Sequence, residues 1–147
     1  MIGVEASAFR AELARLRGAL VTAAERTVAD AVDAAKASAI ATKLFKDGPN
    51  ARLRGSIDGK ASSLEGKVVA DTPYARFVNY GTAPHVIEGN PLAFRVGGSM
   101  VFARRVMHPG TKPRPFMEAA AAAGDKAMDA AAEKHANAAI STFNRAG

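Results

Sequence analysis

Apolar side chains recur at steps of three and four through Phe9, Leu13, Leu16, Leu20, Ala24, Val28, Ala31 and Ala35. This spacing predicts one amphipathic helix from about Ser7 to Phe45. Ser7 is its candidate cap, and Glu12/Arg15 and Asp33/Lys36 are spaced for weak mutual support. At about 1.5 Å per residue such a helix exceeds about 50 Å, roughly twice the width of a domain this size. It either breaks over one core, with Gly18 the weak point, or projects an apolar stripe that another subunit covers. Asp47-Gly48-Pro49-Asn50 ends it, because Gly leaves a helix readily and Pro cannot continue one.

Beyond residue 50 the period changes to two. Leu53, Gly55 and Ile57 alternate with Arg54, Ser56 and Asp58; Leu64, Gly66, Val68 and Ala70 alternate with Glu65, Lys67, Val69 and Asp71. The pattern predicts two half-buried strands joined by the loop 59–63 into a hairpin. Residues 71–82 then read as one short helix. Asp71 or Thr72 can cap it, Pro73 suits its first position, and Gly81 stops it. Tyr74, Phe77 and Val78 fall on one face, which must be covered.

After loops at 83–85 and 88–91, Leu92, Phe94 and Val96 alternate, Gly97-Gly98-Ser99 turns the chain, and 100–107 returns as a second hairpin strand. Pro109, Pro113 and Pro115 make 108–115 a stiff extended arm. Pro115 opens an Ala-rich last helix whose inward stripe is Phe116, Met117, Ala121, Gly124, Met128, Ala131, His135, Ala139 and Phe143, with fraying beyond. Small side chains there favour close approach to another helix, and the natural partner is the N-terminal helix of this or a neighbouring copy. The expected class is α+β, in one domain over 1–147: a helical arm at 1–46, a small antiparallel sheet of two hairpins with a short helix between them at 47–114, and a C-terminal helix at 115–147.

Composition narrows the chemistry. With no Cys and no Trp, disulfides, thiolate metal sites and cysteine nucleophiles are excluded. No apolar run reaches the roughly 18 residues of a membrane span, and Arg10, Arg15 and Arg17 interrupt any signal-peptide pattern, so a soluble, intracellularly made protein is expected. The net charge is +6, and residues 45–116 hold eleven Lys/Arg against five Asp/Glu. This excess suits nucleic acid, an acidic protein or solvent.

His85, His108 and His135 have no metal-ligand spacing, and His85 three residues before Glu88 is a weak signal. No nucleophile elbow, phosphate loop or dinucleotide fingerprint occurs; Gly97-Gly98-Ser99 is a turn between strands. Neither cofactor nor enzyme chemistry is expected. Tyr74, Phe77 and Tyr80 near Arg76 fit a single-strand platform or, more simply, the covered face of the short helix.

Three stretches carry a resemblance: Leu53-Arg54-Gly55-Ser56-Ile57; Tyr74-Ala75 with Phe77-Val78-Asn79-Tyr80-Gly81-Thr82; and His108-Pro109-Gly110-Thr111 with Arg114-Pro115-Phe116-Met117. With Leu92, Phe94, Val101 and Phe102 between them, the order resembles the neck and tail-completion proteins of long-tailed bacteriophages over roughly residues 45–120. The chain departs at Asn79, where the resemblance would place an acidic residue.

The resemblance implies a non-enzymatic virion protein, assembled in the host cytoplasm as a homo-oligomeric ring, six copies by analogy, at the head–tail junction or tail top. Its partners would be sister copies, head–tail connector and tail tube proteins, with genomic DNA passing through the lumen and no membrane. Candidate structural or interface residues are Tyr74, Phe77, Tyr80, Gly81, Thr82, His108, Pro109, Gly110, Arg114, Pro115 and Phe116. The alternative reading is a basic nucleic-acid-binding accessory protein.

Overall fold

The computed structural model describes residues 6–46 and 52–145; the expected stop at 47–50 lies outside them. The chain divides into two compact units, one of Met1–Thr72 with Phe116–Gly147, the other of Pro73–Pro115. The class is α+β: a long N-terminal helix, two antiparallel hairpins with a short helix between them, and a C-terminal helix. Each hairpin forms its own two-stranded sheet.

In the first unit α1 spans Ala6–Ala41 without a break, so Gly18 is no weak point and Ser7 lies inside the helix rather than capping it. Its buried residues, Ala23, Thr27, Ala31, Val32, Ala35 and Ala39, begin halfway along. Before them Phe9, Leu13 and Leu20 stay exposed. The helix following residue 115, α4 (Phe116–Arg145), runs antiparallel beside α1. His135 Nε2 meets Asp30 Oδ2 at 2.9 Å, and Phe45 and Phe116 pack edge to face at 4.9 Å.

Small residues set the helix separation: a Cβ at Gly124 would lie 3.1 Å from Ala35 Cβ and 3.2 Å from Ala31 O. The inward stripe of α4 is therefore met by the chain's own α1. It consists of Phe116, Ala120, Gly124 and Ala131; Ala121 and Met128 of the expected stripe are exposed. The helix continues to Arg145, past the expected fraying point at Phe143.

Residues 52–55 wind into a one-turn helix, α2 (Arg52–Gly55), not the strand that alternation predicts. The tertiary setting explains this. Leu53 is buried, while Arg54 turns back over the Phe45 ring, 4.7 Å from its centroid. Its guanidinium donates to the carbonyls of Ile40, Thr42 and Phe45 just where α1 ends. A delocalised cation with several donors suits orphan carbonyls at a helix C-terminus.

Strands β1 (Ile57–Ser62) and β2 (Glu65–Ala70) pair from Ile57↔Ala70 to Ser62↔Glu65, so the loop is only Ser63-Leu64 and most of the expected 59–63 connection is strand. The hairpin lies on α1, and Gly66 permits the approach: a Cβ there would meet Val32 Cγ2 at 2.4 Å.

The second unit holds α3 (Ala75–Tyr80), β3 (His85–Val96) and β4 (Ser99–His108). The helix starts later than the capping pattern predicts. Pro73 and Tyr74 form a turn, Tyr74 O accepts from Phe77 N at 3.0 Å and Val78 N at 3.1 Å, and no side chain caps the start. Thr72 Oγ1 is buried and finds no hydrogen-bond partner among the described residues.

The expected loops at His85 and at 88–91 lie within β3, the latter as a register shift between Glu88 and Leu92 containing a cis Asn90–Pro91 peptide. Gly97 and Gly98, both at positive φ, make the tight turn. Across the whole unit only Ala75 and Asn79 are buried.

A candidate interface built on two paired motifs

The two halves of the motif set meet in space. Thr82 and Thr111 exchange backbone hydrogen bonds, Thr82 N to Thr111 O at 3.0 Å and Thr111 N to Thr82 O at 3.1 Å, and their hydroxyls lie 3.2 Å apart. Gly81 and Gly110 make this knot possible. Both hold left-handed backbones, at φ 72° and 83°. A Cβ on Gly81 would lie 2.4 Å from Thr111 O, and one on Gly110 2.2 Å from Thr82 O. Only glycine combines that conformation with that proximity. Arg114 N then donates to both Val78 O and Asn79 O at 3.1 Å, so the prolyl arm satisfies carbonyls at the end of α3.

Two histidines extend the knot into the hairpin. His85 and His108 face each other across β3 and β4 with ring centroids 5.0 Å apart. Gly110 N donates to His108 Nδ1 at 3.1 Å, so in the neutral ring the proton sits on Nε2. His85 Nδ1 lies 3.0 Å from Ala83 O, where as N–H it donates to that carbonyl and leaves Nε2 as acceptor. The neighbouring tautomers in the neutral rings are thus opposite. Among the described residues no three His, Cys, Asp or Glu side chains group to hold a metal ion.

Around the knot lies an open groove of about 780 Å³, whose walls include Tyr74, Arg76, Phe77, Tyr80, Lys112 and Arg114. The aromatics are not the covered face that helical spacing predicts. Tyr74, Phe77 and Tyr80 are 41%, 46% and 70% exposed. The buried positions of α3 are instead Ala75 and Asn79, one turn apart. Arg76 lies over the Phe77 ring at 5.1 Å, a cation–π arrangement. Among the described residues no carboxylate lines the groove. Glu88, the unit's one acidic residue, pairs loosely with Arg105 at 3.6 Å in solvent.

Of the motif residues, Tyr74, Phe77, Tyr80, Gly81, Thr82, His108 and Arg114 line this groove, and Gly110 sits in the knot. Pro109 and Pro115 are exposed on the arm, while Phe116 is fully buried against Phe45 in the first unit. Sequence reasoning did not place His85 here: its partnership with His108 depends on strand register. The departure at Asn79 falls on a position 3% exposed, so it is an interior polar group and no surface charge. Comparison with family models, curated proteins and solved structures finds no match for the chain.

Proposed function

We propose that the chain is a structural ring subunit of a long-tailed bacteriophage, placed at the head–tail junction or tail top. It builds and does not catalyse. The observation that carries this reading is the near absence of a core in residues 73–115, where only Ala75 and Asn79 are buried. A two-stranded ribbon is marginal in water unless something covers a face. Here Met100, Phe102 and Met107 are 55%, 64% and 67% exposed, and Phe9 and Leu13 add an open stripe on α1.

Exposed apolar side chains that share one surface, as Met100 and Phe102 do on one side of the ribbon, are the usual mark of a protein contact site. Sister copies in a closed ring supply cover by heterologous contact, one face of each copy against a different face of the next. The resemblance of the two motifs to neck and tail-completion proteins supports that assembly, and their meeting in one knot supports treating them as a single device. The ring would join connector and tube proteins, pass DNA through its lumen and hold about six copies by analogy.

Native mass measurement of the purified chain, followed by imaging of the particle, tests the reading. A discrete ring is expected. A chain that stays monomeric at its highest soluble concentration, and that no particle contains, would sink it.

A second reading has its own support. Exposed Tyr74, Phe77 and Tyr80 beside Arg76, Lys112 and Arg114 also suit stacking and phosphate contact with a single strand. Salt titration on an oligonucleotide separates the two: phosphate binding weakens steeply with ionic strength, whereas the ring reading expects little affinity in the unassembled chain.

A further inference from the structure

We infer that the cationic face of the β3–β4 hairpin is the seat for α4 of the next copy, which lays its acidic outer stripe across it. This rests on the ring reading and specifies its interface. Cross-strand pairing puts Arg95 with Met100, Ala93 with Phe102 and His85 with His108 on one side of the ribbon, and Arg104 follows on that side. The other side takes Glu88 with Arg105. The face is therefore apolar in the middle, cationic at Arg95 and Arg104, and free of carboxylates. It runs on through His85 and His108 into the groove, where Arg76, Lys112 and Arg114 continue the same sign.

The complementary surface lies on the same chain. On α4 the buried Phe116, Ala120, Gly124 and Ala131 define the inner face. At about 100° per residue, Asp125, Asp129 and Glu133 fall on the opposite side, and all three are exposed. Ala122, Ala132 and Ala136 lie among them, so the stripe is acidic and low, the shape that protruding Met100 and Phe102 require. Lys126 and Lys134 fall to one flank.

The spacings also correspond. Arg104 lies four strand residues beyond the level of Arg95, about 13 Å, and Glu133 lies eight helix residues beyond Asp125, about 12 Å. The other exposed helical stripe, at Phe9 and Leu13, is flanked by Arg10, Arg15 and Arg17, which this face would repel. A helix over a two-stranded ribbon supplies the missing layer. Since the hairpin and α4 are different surfaces, the contact is head to tail and propagates.

Two full-length variants test this, Asp125→Lys with Glu133→Lys and Arg95→Glu with Arg104→Glu, followed by native mass against concentration. Each alone should raise the half-assembly concentration by at least about tenfold, because like charges then face each other. An equimolar mixture should recover assembly, since each variant then offers the other opposite charges at both contacts; recovery also shows that both fold.

If the wild-type chain assembles and the reversals leave it unchanged, or the mixture does not recover, this interface is wrong and the ring reading stands. A wild-type chain that is only ever monomeric, and that no particle contains, removes both. If Arg95→Glu with Arg104→Glu abolishes binding to a single-stranded oligonucleotide while the α4 variant assembles normally, the face serves nucleic acid and the inference is overturned.

Discussion

Replacing Gly110 by Ala isolates what the knot contributes, with Gly97→Ala as its control. Both glycines have positive φ, so both substitutions carry the left-handed penalty of about 1–2 kcal/mol for a residue with a Cβ. They differ in their surroundings. Among the described residues nothing lies within 4 Å of a Cβ on Gly97, whereas on Gly110 it would stand 2.2 Å from Thr82 O and 2.9 Å from Ala83 C. These are backbone atoms and cannot rotate away, so the Thr82–Thr111 pair must part. Its two hydrogen bonds contribute about 0.5–1.5 kcal/mol each.

Gly97→Ala should therefore cost about 1–2 kcal/mol and Gly110→Ala about 2–5 kcal/mol. The knot belongs to a unit of its own, so global melting is a poor reporter and native-state hydrogen exchange at the Thr82, Thr111 and Arg114 amides is the suitable one. Gly110→Ala should speed exchange there by about thirtyfold to several thousandfold, at tenfold per 1.4 kcal/mol. Equal acceleration in both variants would mean that contact at Gly110 is irrelevant, and the knot would lose its structural role.

Three further outcomes follow from the first unit. Arg54→Met strips one guanidinium from the carbonyls of Ile40, Thr42 and Phe45 and should cost about 2–3 kcal/mol in urea unfolding, with Arg54→Lys failing to rescue because an ammonium lacks the planar fork; full rescue by Lys would refute this. Gly124→Leu should force α1 and α4 apart and cost about 1–3 kcal/mol, read as a lower urea midpoint, and an unchanged midpoint would contradict the close packing. The Lys36 ammonium, aided by Gly59 N–H, holds the Asp58 carboxyl below its ordinary 3.8. Its stabilisation is present above that range and lost as pH falls through the folded value, so Asp58→Asn should slightly flatten the fall in Tm below about pH 5; the effect is small because the pair is exposed.

The elements were legible in the sequence wherever a local signal decided them: the helical period of α1, the Gly97-Gly98 turn, the stop at Gly81 and the prolyl arm. What failed was the choice of face. Alternation at Leu53, Gly55 and Ile57 matches a strand, yet the carbonyls at the end of α1 draw Arg54 back and wind the segment into a turn. Helical spacing put Tyr74, Phe77 and Val78 inward, but an arm arriving from more than thirty residues downstream bonds the carbonyls of Val78 and Asn79, while Ala75 and Asn79 are the buried positions and the rings stay exposed. Of the site, both motifs were visible but their pairing was not, because Thr82 and Thr111 are joined through the register of β3 and β4.

The same distribution bears on how such a unit stays folded. The second unit is held by backbone bonds at its knot and arm and by the ladder of its hairpin, while most of its large apolar side chains face outward. Its cations, Arg76, Arg95, Arg104, Arg105, Lys112 and Arg114, meet one internal carboxylate, Glu88, so self-repulsion adds to the missing core. The first unit is close to charge balance and buries two faces of α1, one under α4 and one under the β1–β2 hairpin. One unit thus has what the other lacks, namely acidic side chains on an exposed helix. In the proposed interface, an acidic helix from a sister copy would relieve exposure and repulsion in one contact, and assembly and the stability of residues 73–115 would then be one equilibrium.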